Sequence, residues 1–500
     1  MQKSSEIDLT KGNLFWKMPK FVLPLMMTTI FQLLYTTVDL WAVSNYGDGS
    51  SSMSAVGSNS ALINLIITVL VSLATGANVC ISMAKGANDQ KRANRILHTA
   101  LIVAFVGGIF VGIFGFFLSP VLLKLMDTPE FIYDKATTYL KIYFLGVPLL
   151  MIYNYGSQML RALGDSKRPL FILIISGIFN VACDLLFVIC FNMDVAGVGY
   201  ATVISEGIAA VLTICWFIIN KNGFVRLKLK ELKISKRELF DILKIGIPAG
   251  IQGLAFCIPN VLIQSSLYSI KDYTIDGVKI SVDEIVTGAS ASSQIEGYVF
   301  AMLDAFAVGL ISFTGQNYGA GKKDNMRKCY WFAVSWMMIF WFVASIICFA
   351  IPKQLLGIFI TETEKINVDN AIAAGRERLY LMVFTYFLDG WMGINSDYLR
   401  GMKRSTPPAI ITMIGCSGTR ILFLLTLFKT PTFHTIFWLY AAFPISWILV
   451  NLVYIPIILI YEHKTFNSLK QIELIWFAFS FTIKLNCCII GYKGRENYVY

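Results

Sequence analysis

Charge is what this sequence has least of. Only 15% of its 500 residues are Asp, Glu, Lys or Arg, against about 25% in soluble domains. That shortage excludes a disordered chain and argues against a water-soluble enzyme. Histidine is scarcer still. His98, His434 and His463 are scattered, form no HExxH pattern, and have no Ser or Cys nucleophile motif beside them. The ten cysteines are mostly single and inside apolar runs, as at Cys80, Cys183, Cys190, Cys215, Cys257 and Cys348. Without a CxxC pair or a Cys/His cluster they read as small buried hydrophobes rather than bridges or metal ligands. GQNYGAGKK (315–323) lacks what a phosphate loop needs: Gln316 stands at the first glycine position, Lys323 replaces Ser/Thr, and an apolar helix precedes it in place of a strand. ATP use is unsupported and no cofactor is expected. The regularly spaced arginine ladder of a voltage sensor is missing too. The polar start is retained rather than cleaved, since no A-x-A-like site follows the first apolar stretch.

Apolar residues, by contrast, make up 56% of the chain, with a mean hydropathy of +0.64. Runs of about 20 apolar residues, enough to cross roughly 30 Å of hydrocarbon, recur along its whole length. They predict twelve spans: 20–44, 54–83, 96–118, 137–160, 169–191 and 197–219, then 241–268, 285–316, 329–351, 378–400, 407–428 and 434–461. The net charge, 42 − 31 = +11, sits in short connectors between spans. Lys85, Lys91, Arg92 and Arg95 mark one connector; Arg161, Lys167 and Arg168 the next. Lys322, Lys323, Arg327 and Lys328 follow, then Arg400, Lys403 and Arg404. The alternate connectors carry almost none. This is topological bias, not a nucleic-acid surface, and it places both ends of the twelve-span unit in the cytoplasm of a plasma (inner) membrane. No nucleic-acid partner is expected. The lipid bilayer is the partner, and a monomer is expected.

The two halves repeat each other. Gly76 and Gly86 bracket GANVCISMAKGANDQKR, and Gly309 and Gly319 bracket GLISFTGQNYGAGKKDNMR at the same spacing. LRALGDSKRP (160–169) answers LRGMKRSTPP (399–408), pairing Arg161 with Arg400, and Pro24 answers Pro248. Six is even, so the repeat is parallel, about an axis along the membrane normal, with a substrate pathway between the bundles. Mid-helix prolines, including Pro148 and Pro259, are candidate bend points. The reading is an all-α integral membrane protein: an amino-terminal lobe (1–219), a basic link (220–240) lying on anionic lipid, and a carboxy-terminal lobe (241–461). Residues 462–500 match neither half, and Lys484 interrupts their apolar run; they are expected to form an interfacial or poorly ordered tail.

Ionisable side chains inside a bilayer cost several kcal/mol each, which makes them candidates for function. Asp39, Asp184 and Thr202 fall at matched depth, roughly 8–10 Å from the outer helix ends at 1.5 Å per residue. Asn180 precedes Asp184 by one turn and shares its face. Two carboxylates, an amide oxygen, a hydroxyl and the Val198 carbonyl suit Na⁺, a cation that prefers oxygen. Two close carboxylates in low dielectric cannot both stay ionised, so the same set suits proton coupling. The alternative is that both aspartates reach toward outer water. The second half has no matching acids: the repeat offsets place Ile263 and Phe423 there. It has Glu296, Asp304 and Asp389 of its own, with Arg420 expected to neutralise one of them and Glu296 to face the cavity and attract a cationic substrate. Glu206 is a weaker candidate of the same kind. Tyr35 and Asn154, with Tyr153, offer an aromatic and amide surface to an organic cation.

Taken jointly, YTTVD (35–39), GANVCISMAKGANDQKRA (76–93), LRALGDSKRP (160–169), FNVACD (179–184), GYATVIS (199–205), GQNYGAGK (315–322) and YAAFPISW (440–447) make residues 14–461 resemble the multidrug and toxic compound extrusion (MATE) family of antiporters. The resemblance implies two lobes in a V around a central cavity, exporting organic cations, drugs or metabolites in exchange for Na⁺ or H⁺. The family's amino-lobe cation site maps onto Asp39, Asn180, Asp184 and Thr202. Gln252 and Gln264 occupy the seventh helix where some branches carry Glu. A flippase for lipid-linked precursors is the alternative; it calls for a wide cavity rich in Arg and Lys, which this sequence lacks.

Overall fold

The computed structural model describes residues 6–466 apart from 48, 49, 222, 271, 272, 276 and 361–365. Eleven of its helices are long and apolar enough to cross a membrane. In chain order the first half contains α1 (Leu14–Tyr46), α2 (Ser50–Gly86), α3 (Gln90–Leu125), α4 (Glu130–Ala162), α5 (Lys167–Cys190) and α6 (Asp194–Ile219). The second contains α7 (Lys236–Ser266), α8 (Val282–Gly319), α9 (Lys323–Ala350), α10 (Val368–Gly401), α11 (Thr406–Lys429) and α12 (Ile436–Phe466). Of these, α10 falls short of the apolarity of a span because it carries Arg376, Glu377, Arg378, Asp389, Asp397 and Arg400. It begins ten residues before the expected start at 378. The early turns are too charged to read as a span, yet Asn367 caps them by accepting from the Asn370 N–H at 3.2 Å.

Local signals fix several helix starts. Asn13 and Asp89 cap α1 and α3, accepting from Trp16 N–H and Arg92 N–H. Ser281 and Glu284 form a reciprocal capping box on α8, which satisfies two backbone donors that the first turn would leave orphaned. Between α7 and α8 a small hairpin pairs β1 (Tyr273–Ile275) with β2 (Val278–Ile280), Tyr273 opposite Ile280. Helix α7 starts at Lys236, so the link is shorter than the expected 220–240. Its strand-like part is pinned across α3: Arg226 N–H donates to Asn94, Lys228 N–H to His98 Nε2, and Ser235 N–H to Thr99. The expected tail falls largely on residues 467–500, outside the described residues.

Two apolar cores correspond to the two halves, but two helices cross between them. The first half of α1, from Leu14 to Met26, packs in the core of the second lobe, whereas Phe31 and Tyr35 pack against the first. Helix α7 does the reverse: Ile242 and Ile245 belong to the first core, and Ile263, with Leu267 just past the helix end, to the second. The boundary at 219 therefore divides the sequence but not the packing. Pro24 and Pro248, the repeat-related prolines, sit in these two exchanged helices, and the Pro24 carbonyl accepts a 2.8 Å bond from the Thr28 hydroxyl.

The lobes join at the end of the molecule that carries the Lys/Arg-rich connectors, here the basic face. A side chain added at Gly86 would run into the Gln316 carbonyl, and one at Gly319 into the Met83 carbonyl. The glycines of the repeat thus let α2 and α8 meet backbone to backbone. Asn78, on α2, donates to Gln158 at 2.9 Å and accepts from Ser312 of α8 at 3.2 Å, while Gln316 donates to the Ala162 carbonyl at 2.7 Å. Below them the segment before α1 ties both lobes: Ile7 N–H donates to Gly164, Glu6 pairs with Lys85, and Asn317 and Lys322 donate to the carbonyls of Leu9 and Thr10.

Candidate functional site: a cavity with a buried carboxyl pair

A cavity of about 470 Å³ runs along the first lobe, lined by α1, α2, α4, α5, α6 and three residues of α8. Helix α1 delivers Tyr35 and Asp39 one turn apart. Tyr35 reaches α5 because Gly177 leaves room for its ring, and its hydroxyl donates to the Leu173 carbonyl at 2.8 Å. Helix α5 delivers Asn180 and Asp184, also a turn apart, and a π-helical turn (Leu186–Cys190) begins two residues later. Such turns break regular pairing and occur often at functional sites. Helix α6 delivers Val198, Thr202 and Glu206 on successive turns.

Asp39 and Asp184 meet within hydrogen-bonding reach of each other. Asp184 is 0% exposed, and Asp39 Oδ1 together with both Asp184 carboxyl oxygens is buried without a donor. Measured along the helices, Asp39 lies seven residues from the end of α1, Asp184 six from the end of α5 and Thr202 eight from the start of α6, or about 9–12 Å at 1.5 Å per residue. At this depth Asp39 and Asp184 meet, and Thr202 lines the same cavity as Asp39. Glu206 packs against Gly146 of α4 and acts electrostatically on Asp39. Tyr139 and Tyr143 of α4 flank these acids. A paired set of buried acceptors with no donor is unfavourable as dianion, and a single positive charge placed there would satisfy it. Among the described residues no three His, Cys, Asp or Glu converge to hold a metal ion by themselves; a cation here has two carboxylates and neutral oxygens.

Tyr35, Asp39, Asn154, Asn180 and Thr202 all line the cavity; Asp184 is not in the lining and is joined to it through its contact with Asp39. Two expected members do not join them. Val198 is buried off the cavity, and its carbonyl accepts the Thr202 hydroxyl at 3.0 Å, which leaves it engaged. Glu296 faces Arg378, not the cavity: the guanidinium grips both carboxylate oxygens at 2.9 and 3.0 Å, with Ser292 and Tyr386 on the same carboxylate. Arg420 reaches no carboxylate within ion-pair distance among the described residues, although it acts electrostatically on Asp389. It donates to Ser446 and Asn260 and lies over Phe443, 4.3 Å from the ring centroid. The neutralising arginine is Arg378, concealed at the very edge of an expected span. Sequence reasoning also passed over Tyr139, Tyr143, Gln158 and Arg161 as lining residues; their signal is one face of α4 at 3–4-residue spacing.

Two interlocked six-helix lobes, with a cavity beside buried acids, define a multi-pass helical membrane protein. The chain belongs to the MatE family of multidrug-efflux transporters, whose family model matches residues 24–186 and 260–426. It is 28% identical over 398 residues to the probable multidrug resistance protein YpnP of Bacillus subtilis (strain 168), covering 80% of this chain and 84% of that one. It is 25% identical over 414 residues, 80% and 83% of the two chains, to the probable multidrug resistance protein NorM of Thermotoga maritima. Among solved structures, a MATE in the bent conformation superposes with a TM-score of 0.81 at 18% identity over 91% of this chain and 97% of that one. An outward-facing multidrug resistance MATE transporter of the MOP superfamily gives 0.82 at 18% identity over 94% and 100%.

Proposed function

We propose that this chain is a secondary antiporter that exports organic cations, drugs or metabolites in exchange for Na⁺ or H⁺. The observation that carries the reading is the Asp39–Asp184 pair, a buried set of acceptors beside a cavity, lacking any donor. The coupling ion binds there from outside, held by the two carboxylates with Asn180 and Thr202 as neutral ligands. Binding favours one bend of the first lobe and substrate the other, so exchange follows from the difference in affinity between states. With the basic face in the cytoplasm, the joined lobe ends close the pathway on the inside. Tyr35 and Asn154 offer the substrate an aromatic and amide surface. The flippase alternative finds a single basic residue, Arg161, among those lining the cavity. The test is efflux from proteoliposomes with Na⁺ and pH gradients imposed separately. Export that follows neither gradient sinks the proposal.

A further inference from the structure

The first-lobe cavity holds a cation that the fold leaves uncompensated. Arg161, next to last in α4, lines the cavity together with Tyr153, Asn154, Ser157 and Gln158. Its Nε is buried and unpartnered, as is that of Arg400, its repeat counterpart; what sets Arg161 apart is that no carboxylate pairs with it among the described residues. The internal repeat supplies the control. Arg400 is its counterpart in α10, and there Asp397, one turn earlier, holds the guanidinium at 2.6 Å while Gln252 accepts a second bond at 2.6 Å. The offset that pairs Arg161 with Arg400 pairs Gln158 with Asp397. Where the second lobe carries an acid the first carries an amide, and the Gln158 oxygen is already taken by Asn78 at 2.9 Å. One lobe neutralises its arginine internally. The other leaves it open to the solute space. A buried guanidinium without a partner is costly, and its planar fork fits a carboxylate with two parallel hydrogen bonds.

We propose that Arg161 is an anion subsite at the basic-face end of the cavity, and that it takes a carboxylate carried by the exported solute. Amphoteric molecules are then substrates in their own right, with their acid group at Arg161 and away from the carboxyl pair. The inference rests on the exporter reading for its solute but makes a separate demand on it.

The test uses two dyes that differ only at one group: rhodamine 110, a zwitterion with a free carboxylate, and rhodamine 123, its methyl ester and a simple cation. Binding to purified full-length protein is followed by fluorescence anisotropy, and export from proteoliposomes in parallel. Two variants are compared with wild type. Arg161→Gln removes the charge. Gln158→Asp keeps Arg161 but gives it the internal partner that Arg400 has, and so guards against loss of fold in the first. A charge-assisted bond carries about 1.5–3 kcal/mol, so both variants are expected to weaken rhodamine 110 at least about tenfold while the affinity for rhodamine 123 holds or rises. Equal losses for the two dyes, rhodamine 110 unaffected by either variant, or no binding of rhodamine 110 to wild type overturns the subsite. Gradient-driven export of rhodamine 123 that survives such a result leaves the exporter reading standing. Wild-type protein that binds both dyes and moves neither under any gradient fails the exporter reading instead.

Discussion

Replacing Asp184 by Asn separates a coupling role from a structural one. The variant keeps the shape and volume of the side chain and removes one of the two charges that face each other across α1 and α5. A monovalent cation about 4 Å from a carboxylate gains about 4 kcal/mol at an effective dielectric of about 20. At about 1.4 kcal/mol per factor of ten, that is a loss on the order of 10³ in cation affinity. The bias between the two conformations can be no larger than the ion's differential affinity, so driven efflux collapses even where the solute still binds. Stability moves the other way. Asp184 has no donor to lose, and the substitution relieves repulsion with Asp39, so the melting temperature in detergent holds or rises. The assay is efflux of a cationic dye from proteoliposomes at equal protein, under a Na⁺ gradient and under a pH gradient, beside thermal unfolding. Driven efflux within about twofold of wild type would refute the coupling role. A Tm lowered by more than about 4 °C, which corresponds to about 4 kcal/mol at about 1 °C per kcal/mol for a chain of this size, would mark Asp184 as structural.

Three further outcomes are expected. Glu296→Gln strands the Arg378 guanidinium in the second core and destabilises by about 3–5 kcal/mol; the double variant Glu296→Leu with Arg378→Met recovers most of that in thermal unfolding, which a substrate-attracting Glu296 would not permit without loss of dye binding. Gly86→Val forces α2 away from the Gln316 carbonyl, so a Ser312→Cys reporter, buried in the native packing, becomes reactive to an impermeant maleimide added at the basic face; unchanged labelling would count against closure by backbone contact. Tyr35→Phe loses the 2.8 Å bond to Leu173 and costs about 1 kcal/mol of stability, read as a small drop in Tm with dye affinity kept within about threefold.

What the sequence carried and what it did not have different physical causes. Spans were legible because a bilayer demands unbroken apolar runs, and the depth of Asp39, Asp184 and Thr202 followed from helical rise alone. The start of α10 was not, because Arg378 turns into the second lobe's interior beside the more exposed Arg376 and Glu377, and hydropathy reads the charged triplet as a connector. Glu296 looked like a free acid for the same reason: its partner sits on another helix, and no spacing within α8 reports it. The exchange of α1 and α7 between the cores was equally hidden. Both helices are apolar along their length, and an apolar pattern says that a face is buried without saying against which lobe. The paired glycines at 86 and 319 were visible as a repeat, whereas their purpose, backbone approach of α2 to α8, needed three dimensions.

The repeat makes a stronger argument once the charges are placed. Both lobes share one layout, and the second pairs several of its charges internally, Glu296 with Arg378, Asp397 with Arg400, and Glu462 with Arg327 at 2.7 Å, while Asp304, which borders the cavity, has no ion-pair partner among the described residues. The first keeps Asp39, Asp184 and Glu206 without a cationic partner at one level of its cavity and Arg161 without an anionic one at another. Buried charges left unpaired are a burden on folding, and the second lobe shows that this architecture can neutralise an arginine with one substitution, Gln158 against Asp397. The first lobe carries the burden in both signs, and at both places it borders solute space. Stability alone gives no reason for charges left unpaired beside solute space. Exchange does, since an ion and a solute can displace each other only where the protein has left charge for them to complete.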